Sequence, residues 1–185
     1  MFEPDEFIYS KVVNFLKRRK KQAQETLEHA VKLNDIKQRL TIFSRAITGE
    51  AIEIFEAERE GGYKNNSFFL PSRYAEFQTL EQNTKFYIFR IVYLSVQKNL
   101  DLNFTAEEEF TLEHAREKAQ ETSTLVLNDM FNQFPITKHI HQELISHYFK
   151  MATDKKPEDL SFIYGKWMKN DPKILKKAVL NNISE

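Results

Sequence analysis

The stretch that most constrains the fold is FYIFRIVYLSV, residues 86–96, in which Arg90 and Ser95 are the only side chains that are neither aliphatic nor aromatic. Upstream, Thr79 and Gln82 have the spacing of a capping box, which is typical of a helix start. A helix that is apolar on nearly every side must be surrounded by protein. The sequence therefore predicts a central helix over about 80–99.

Arg90 is the only charged residue in this apolar stretch. Burying an arginine without a partner is costly because its charge leaves water. We therefore expect an acidic side chain to reach Arg90, and Glu58 and Glu60 are the first candidates.

Most of the remaining chain has apolar residues at three- and four-residue spacing, the period of an amphipathic helix. Gly49 follows one such segment, where glycine commonly ends a helix. The predicted fold class is mainly α, a helical bundle around the central helix and a single domain over 1–185. The predicted outer helices cover about 5–33, 35–48, 105–133, 135–151, 160–167 and 173–181.

One region departs from the helical period. Residues 51–56 alternate apolar and other side chains, and residues 67–70 form a short apolar run that ends at a proline. Between them lie two glycines at 61–62 and two asparagines at 65–66, the residues that adopt positive φ most readily. This pattern predicts one small β-hairpin over about 51–71, with a long polar tip.

The composition limits the chemistry. The 185 residues carry 27 basic and 27 acidic side chains, so no net charge steers the molecule toward an anionic partner. The absence of cysteine excludes disulfides, thiolate zinc sites and cysteine nucleophiles. No secretory signal and no apolar run of membrane-spanning length is visible, so we expect a cytoplasmic protein.

Candidate catalytic and metal-binding residues are few. His139, Glu143 and His147 lie four residues apart on a predicted helix and could face one metal ion, but a polar helix face has the same spacing. Phosphate-binding glycine loops and nucleophile elbows are missing from the sequence. We therefore predict no enzymatic activity, no metal, no cofactor and no small-molecule substrate.

The first predicted helix carries a local basic cluster. Lys11 and residues 17–21 supply six positive charges with no acid between positions 11 and 21. Such a helix could bind an anionic membrane or nucleic acid, and this is the alternative functional hypothesis. Residues 101–121, with seven acids and two bases, could instead pair with the cluster inside the protein.

The region from residue 43 to 102 resembles the N-terminal region of the nitric oxide reductase activation protein family. In both, a helix ending in glycine is followed by a strand, an acidic tip with paired glycines, a strand ending in Leu-Pro and an aromatic helix containing arginine. Tyr63 and Ser72 depart from the pattern, since tryptophan and a second proline are commoner there. The matching residues are Glu58, Glu60, Gly61, Gly62, Tyr63, Leu70, Pro71 and Arg90.

The resemblance implies an accessory protein that works with an AAA+ ATPase of the MoxR type to activate, or load metal into, an oxidoreductase target. Family members usually continue into a von Willebrand A domain, whose metal site needs D-x-S-x-S. Residues 159–163 lack the last serine of that motif. The resemblance therefore implies only the helical N-terminal part, either cut from a longer protein or a short relative.

The leading hypothesis is thus a non-catalytic protein-interaction or adaptor domain. Its partner would be the ATPase or the oxidoreductase target, and its contact would be the hairpin tip. A plain structural loop is the alternative interpretation of the tip. The predicted binding residues are Glu58, Arg59, Glu60, Gly61, Gly62, Tyr63, Lys64, Asn65 and Asn66.

Overall fold

The computed structural model describes residues 28–151 and 160–171, and within these ranges the protein is rich in helix with a few small sheets. The predicted helix over 173–181 lies outside the described residues, as does nearly all of the one over 5–33. The described helices are α1 (Leu33–Thr48), α2 (Leu80–Asn99), α3 (Leu112–Gln133), α4 (Ile136–Met151) and α5 (Ser161–Tyr164). The strands are β1 (Val31–Lys32), β2 (Glu53–Ala57), β3 (Gly62–Lys64), β4 (Ser67–Pro71) and β5 (Arg73–Tyr74).

Helix α2 occupies the centre of the described structure, as the sequence predicts. Twelve of its residues are buried, and it contacts α1, α3, α4 and α5 as well as strands β1, β3 and β4. The Thr79 hydroxyl accepts a hydrogen bond from the backbone N–H of Gln82, which confirms the predicted helix start. At the end of α1, Gly49 takes a φ of 70°, which confirms the predicted glycine cap.

The sheet differs from the predicted hairpin. The two predicted arms, now β2 and β4, do pair, but they run parallel, and β3 pairs antiparallel with the other side of β4. The tight hairpin is therefore β3–β4, whose turn lies at 65–66 with Asn65 at a φ of 50°. Strands β1 and β5 form a second, two-stranded antiparallel sheet that the sequence analysis did not predict.

Residues 160–171, which we call the strap, cover the paired glycines. The Lys166 backbone N–H donates to the Gly61 carbonyl at 2.9 Å, and the Trp167 N–H donates to the Ala115 carbonyl at 3.0 Å. A Cβ atom on Gly62 would collide with the Lys166 carbonyl oxygen and crowd the Met168 side chain. The glycine pair thus allows close approach of two backbone segments.

Replacing Gly62 with alanine should push the strap away from β3, because the added methyl group and the Lys166 carbonyl cannot occupy the same space. Trp167, the only tryptophan, packs edge-on against Phe104 and donates to the Thr122 hydroxyl. Its fluorescence should therefore shift to longer wavelength in Gly62→Ala. The control is Gly49→Ala, where a Cβ meets nothing within 4 Å and the emission should not change. Unchanged emission in Gly62→Ala would show that the strap is not held this closely.

Two helix boundaries differ from the predictions. The helix predicted over 105–133 begins later, at α3, with Thr111 as its cap, although the Glu108 carboxylate accepts from the Thr105 N–H and hydroxyl as in one half of a capping box. The short helix predicted over 160–167 is confined to Ser161–Tyr164, because Gly165 takes a conformation with φ 75° and ψ −149° that only glycine adopts readily.

Candidate functional site

The predicted recognition tip, residues 58–66, is largely enclosed by the protein. Because β2 and β4 run parallel, the chain between them must return to the other end of the sheet before β4 begins. The two glycines lie on this return segment, and the strap covers them, so they do not form a free tip. This corrects the prediction of an exposed binding loop. Glu58, Arg59 and Asn66 are exposed, Lys64 and Asn65 are half-buried, and Glu60, Gly61, Gly62 and Tyr63 are buried.

Arg90 is fully buried and lies beside Glu60, but it does not use the Glu60 carboxylate. Its Nη1 donates to the Ile163 carbonyl at 2.7 Å, and its Nη2 donates to the Glu60 carbonyl oxygen at 3.0 Å. Burial lowers the pKa of Arg90 to about 10, although the nearby Glu60 carboxylate favours its charged form. The predicted acidic neighbour is therefore present, but the direct contact is through its backbone.

The Glu60 carboxylate pairs instead with Arg116 on α3, whose Nε lies 2.9 Å from Oε1. Burial by itself would raise the pKa of Glu60, but the Arg116 hydrogen bond and the charges of Arg116 and Lys166 outweigh it, so the pKa is lowered. Glu60 and Arg90 together connect α2, α3 and the strap. Both side chains are buried, Arg90 at 0% and Glu60 at 1% exposure.

The three residues of the possible metal site do not converge. His139 Nε2 lies 3.0 Å from Glu143 Oε1, whereas the His147 ring stacks on Phe77 with centroids 4.2 Å apart. Lys85 also contacts Glu143, at 3.3 Å. Within residues 28–151 and 160–171, no group of three or more His, Cys, Asp or Glu side chains is arranged to hold a metal ion.

These residues border an open depression of about 500 Å³ between the start of α2 and α4. Its lining contains side-chain amides, acidic and basic side chains, and the edge of the Phe77–His147 stack. The lining residues are Phe77, Gln78, Gln82, His139, Gln142, Glu143, Ser146, His147 and Lys150.

A second depression, of about 450 Å³, lies on the outer side of α1. It contains Ile42, which is 64% exposed, and two cations, Lys37 and Arg45. The inner side of the same helix packs into the core through Leu33, Leu40 and Ser44. The complete lining is Asn34, Lys37, Gln38, Thr41, Ile42 and Arg45.

An aromatic pair, exposed Phe55 and half-buried Phe69, lies beside this depression. Phe55 on β2 is 41% exposed and stacks on Phe69 of β4, with ring centroids 5.6 Å apart. Lys37 Nζ lies 5.6 Å from the centre of the Phe55 ring, and the Arg45 Nε donates to the carbonyl of Ile52 just before β2. We name the six lining residues together with Phe55 and Phe69 the α1–β2 surface.

The sequence analysis did not identify the α1–β2 surface, although a signal was present. Ile42 falls on the opposite side of α1 from the buried residues Leu33, Leu40 and Ser44, and an apolar residue at such a position must be exposed or meet a partner. That Phe55 stands beside the same helix depends on the tertiary fold and could not be predicted from spacing.

The basic cluster at 11 and 17–21 lies outside the described residues. No helix in the part of the chain that the structure describes has both the length and the apolar character of a membrane span. No family model, curated protein or solved structure matches the chain.

Proposed function

We propose that the protein is a non-catalytic interaction domain that binds another protein through the α1–β2 surface. The observation that supports this proposal is a depression that contains Lys37 and Ile42, which is 64% exposed, with the partly exposed Phe55 ring beside it in contact with Lys37. Scattered exposed apolar residues need no explanation, whereas apolar groups gathered at a concave surface with charged neighbours are typical of binding sites.

The surface is already formed before any partner arrives. Phe55 is supported from one side by Phe69 and contacted by Lys37, and Arg45 is fixed by the Ile52 carbonyl. A preformed surface binds more tightly than a mobile one because less side-chain entropy is lost on binding.

The family resemblance supports an accessory role, with a MoxR-type AAA+ ATPase or an oxidoreductase target as the partner. Because segment 58–66 is largely enclosed, we place the proposed contact on α1 and β2 and not on the glycine tip. The residues of the resemblance that are buried here, among them Glu60, Gly61 and Arg90, then act in folding.

Ile42→Glu and Phe55→Glu should each weaken binding of the MoxR-type ATPase of the same organism at least about tenfold. A central apolar residue of an interface is often worth more than 1 kcal/mol, and about 1.4 kcal/mol corresponds to tenfold in affinity. The dissociation constant would be measured by calorimetry, with circular dichroism confirming that each variant is folded.

Ile136→Glu is the matched control for these two variants. Ile136 is 70% exposed, comparable with Ile42, but it lies at the start of α4 and outside the α1–β2 surface. Equal loss of affinity in Ile136→Glu would indicate a non-specific effect. An ATPase that binds wild type and both surface variants equally would contradict the proposal.

A second candidate function rests on the basic cluster of the sequence, Lys11 and residues 17–21. If that cluster binds anionic lipid or nucleic acid, affinity should fall steeply with salt and vanish when residues 17–21 become glutamine. Binding through the α1–β2 surface should be unaffected by the glutamine substitutions.

A further inference from the structure

We infer that the segment recognised by the α1–β2 surface is an acidic peptide that carries a large apolar side chain. This inference rests on the proposed function and specifies the chemistry of the partner. Three features of the surface support it: its charge, its exposed apolar groups and its neutral amides.

The lining of the depression carries two cations and no acid. Within the described part of the chain, neither Lys37 nor Arg45 forms a salt bridge, and Lys37 instead lies over the Phe55 ring. Both cations are thus available to a carboxylate, and Arg45 Nε is already held in place by the Ile52 carbonyl. Electrostatic complementarity of this kind selects the partner and speeds its association.

The apolar groups mark where the partner inserts a side chain. Ile42 lines the depression, and Phe55 lies next to it under the Lys37 ammonium, where the Phe55–Phe69 stack adds an aromatic surface. An apolar side chain covering them would bury area that water now contacts, which is the main source of affinity at such sites.

The remaining lining residues offer neutral hydrogen-bonding groups. The side-chain amides of Asn34 and Gln38 can each donate and accept hydrogen bonds, as the backbone of a bound peptide requires, and they add no charge to the surface. The Thr41 hydroxyl already donates to the Lys37 carbonyl one turn earlier.

Acids near the surface limit how a peptide can lie. Glu53 is exposed on β2, two residues before Phe55, and strand alternation places it on the same face. The carboxylates of the peptide should therefore gather over α1, at Lys37 and Arg45, while the apolar side chain points toward Phe55.

The test uses the full chain and fluorescein-labelled octapeptides, followed by anisotropy. DEDFLEDE is the probe, NQNFLNQN removes its charge, and DEDAAEDE removes its apolar side chains. We expect DEDFLEDE to bind at least about fivefold more tightly than either control, and binding to weaken between 50 and 300 mM NaCl because exposed charges are screened. Lys37→Glu should weaken DEDFLEDE binding at least about fivefold, a size consistent with loss of an ion pair at half-buried Lys37 and its replacement by repulsion.

Lys138→Glu is the matched control, because Lys138 is an exposed lysine on α4 outside the surface, and it should bind DEDFLEDE like wild type. Equal binding of DEDFLEDE and NQNFLNQN would overturn the inference, as would displacement of the peptide by phosphatidylserine vesicles at the same anionic charge concentration.

The inference and the proposed function can fail separately. Loss of ATPase binding in Ile42→Glu, with no binding of DEDFLEDE to wild type, overturns the inference and leaves the proposed function standing. Binding of DEDFLEDE that depends on Lys37, with ATPase binding unaffected by Ile42→Glu, supports the inference and overturns the proposed use of this surface for the ATPase.

Discussion

Replacement of Arg90 by methionine should lower the free energy of unfolding by about 2–4 kcal/mol. Two buried carbonyl oxygens, those of Ile163 and Glu60, lose their hydrogen-bond donor in this variant. Leaving a buried polar group unpaired costs about 1–3 kcal/mol each. Part of this loss is offset, because burying methionine avoids the free-energy cost of removing a charged guanidinium from water.

The damage should concentrate where the strap meets the core. The Arg90 side chain on α2 binds two backbone carbonyls. One is that of Ile163 in the strap, and the other is that of Glu60 in the segment between β2 and β3, which we call the crossover. Glu60 keeps its bond to Arg116, so the crossover should stay attached to α3 when Arg90 is removed. Near-ultraviolet circular dichroism of the aromatic core should therefore change more than the helical signal.

Urea unfolding of Arg90→Met, with Arg39→Met as its control, measures the effect. Arg39 is an exposed arginine on α1, and substitutions at exposed positions usually change stability by less than about 0.5 kcal/mol. If Arg90→Met and Arg39→Met unfold at the same urea concentration, the buried hydrogen bonds of Arg90 contribute nothing to stability.

Local signals in the sequence were enough to predict the central helix, its start, and the end of α1. The apolar run at 86–96, the Thr79 cap and Gly49 each act over a few residues, and the structure contains all three features. The positive φ of Asn65 was anticipated for the same reason, since a left-handed asparagine needs only its own backbone, but the tight β3–β4 turn that it forms was not.

The pairing of the strands could not be predicted in this way. Alternation identifies a strand but not the direction of its neighbour, so β2 and β4 were expected to be antiparallel although they are parallel. Strand β3 is only three residues long, too short to show a period.

The enclosure of the predicted tip depends on contacts that are far apart in the sequence. The Asn65 N–H donates to the Asn170 side chain, and the Asp171 N–H donates to the Asn65 side chain, at separations of 105 and 106 residues. No local pattern encodes such contacts. The paired glycines indicated a special backbone requirement, but whether they form a free turn or a close approach was decided by the strap.

The second large effect is expected at Gly61. Gly61→Ala should lower the free energy of unfolding by about 3 kcal/mol or more, because two costs add. A non-glycine residue at the φ of 63° found here costs about 1–2 kcal/mol. The new Cβ would also lie well under 3.0 Å from the Phe69 carbonyl oxygen, which is backbone of β4 and can move only if the β3–β4 pair is disturbed.

Gly49→Ala separates these two costs. Gly49 has a similar φ of 70°, but a Cβ there meets nothing within 4 Å, so only the conformational cost of about 1 kcal/mol applies. In urea unfolding, the free energy of unfolding of Gly61→Ala should therefore be at least about 2 kcal/mol lower than that of Gly49→Ala. This difference is the cost of the collision with β4. Equal losses in the two variants would mean that the crossover can move away from β4 at no cost, and that segment 58–66 is freer to meet a partner than its burial implies.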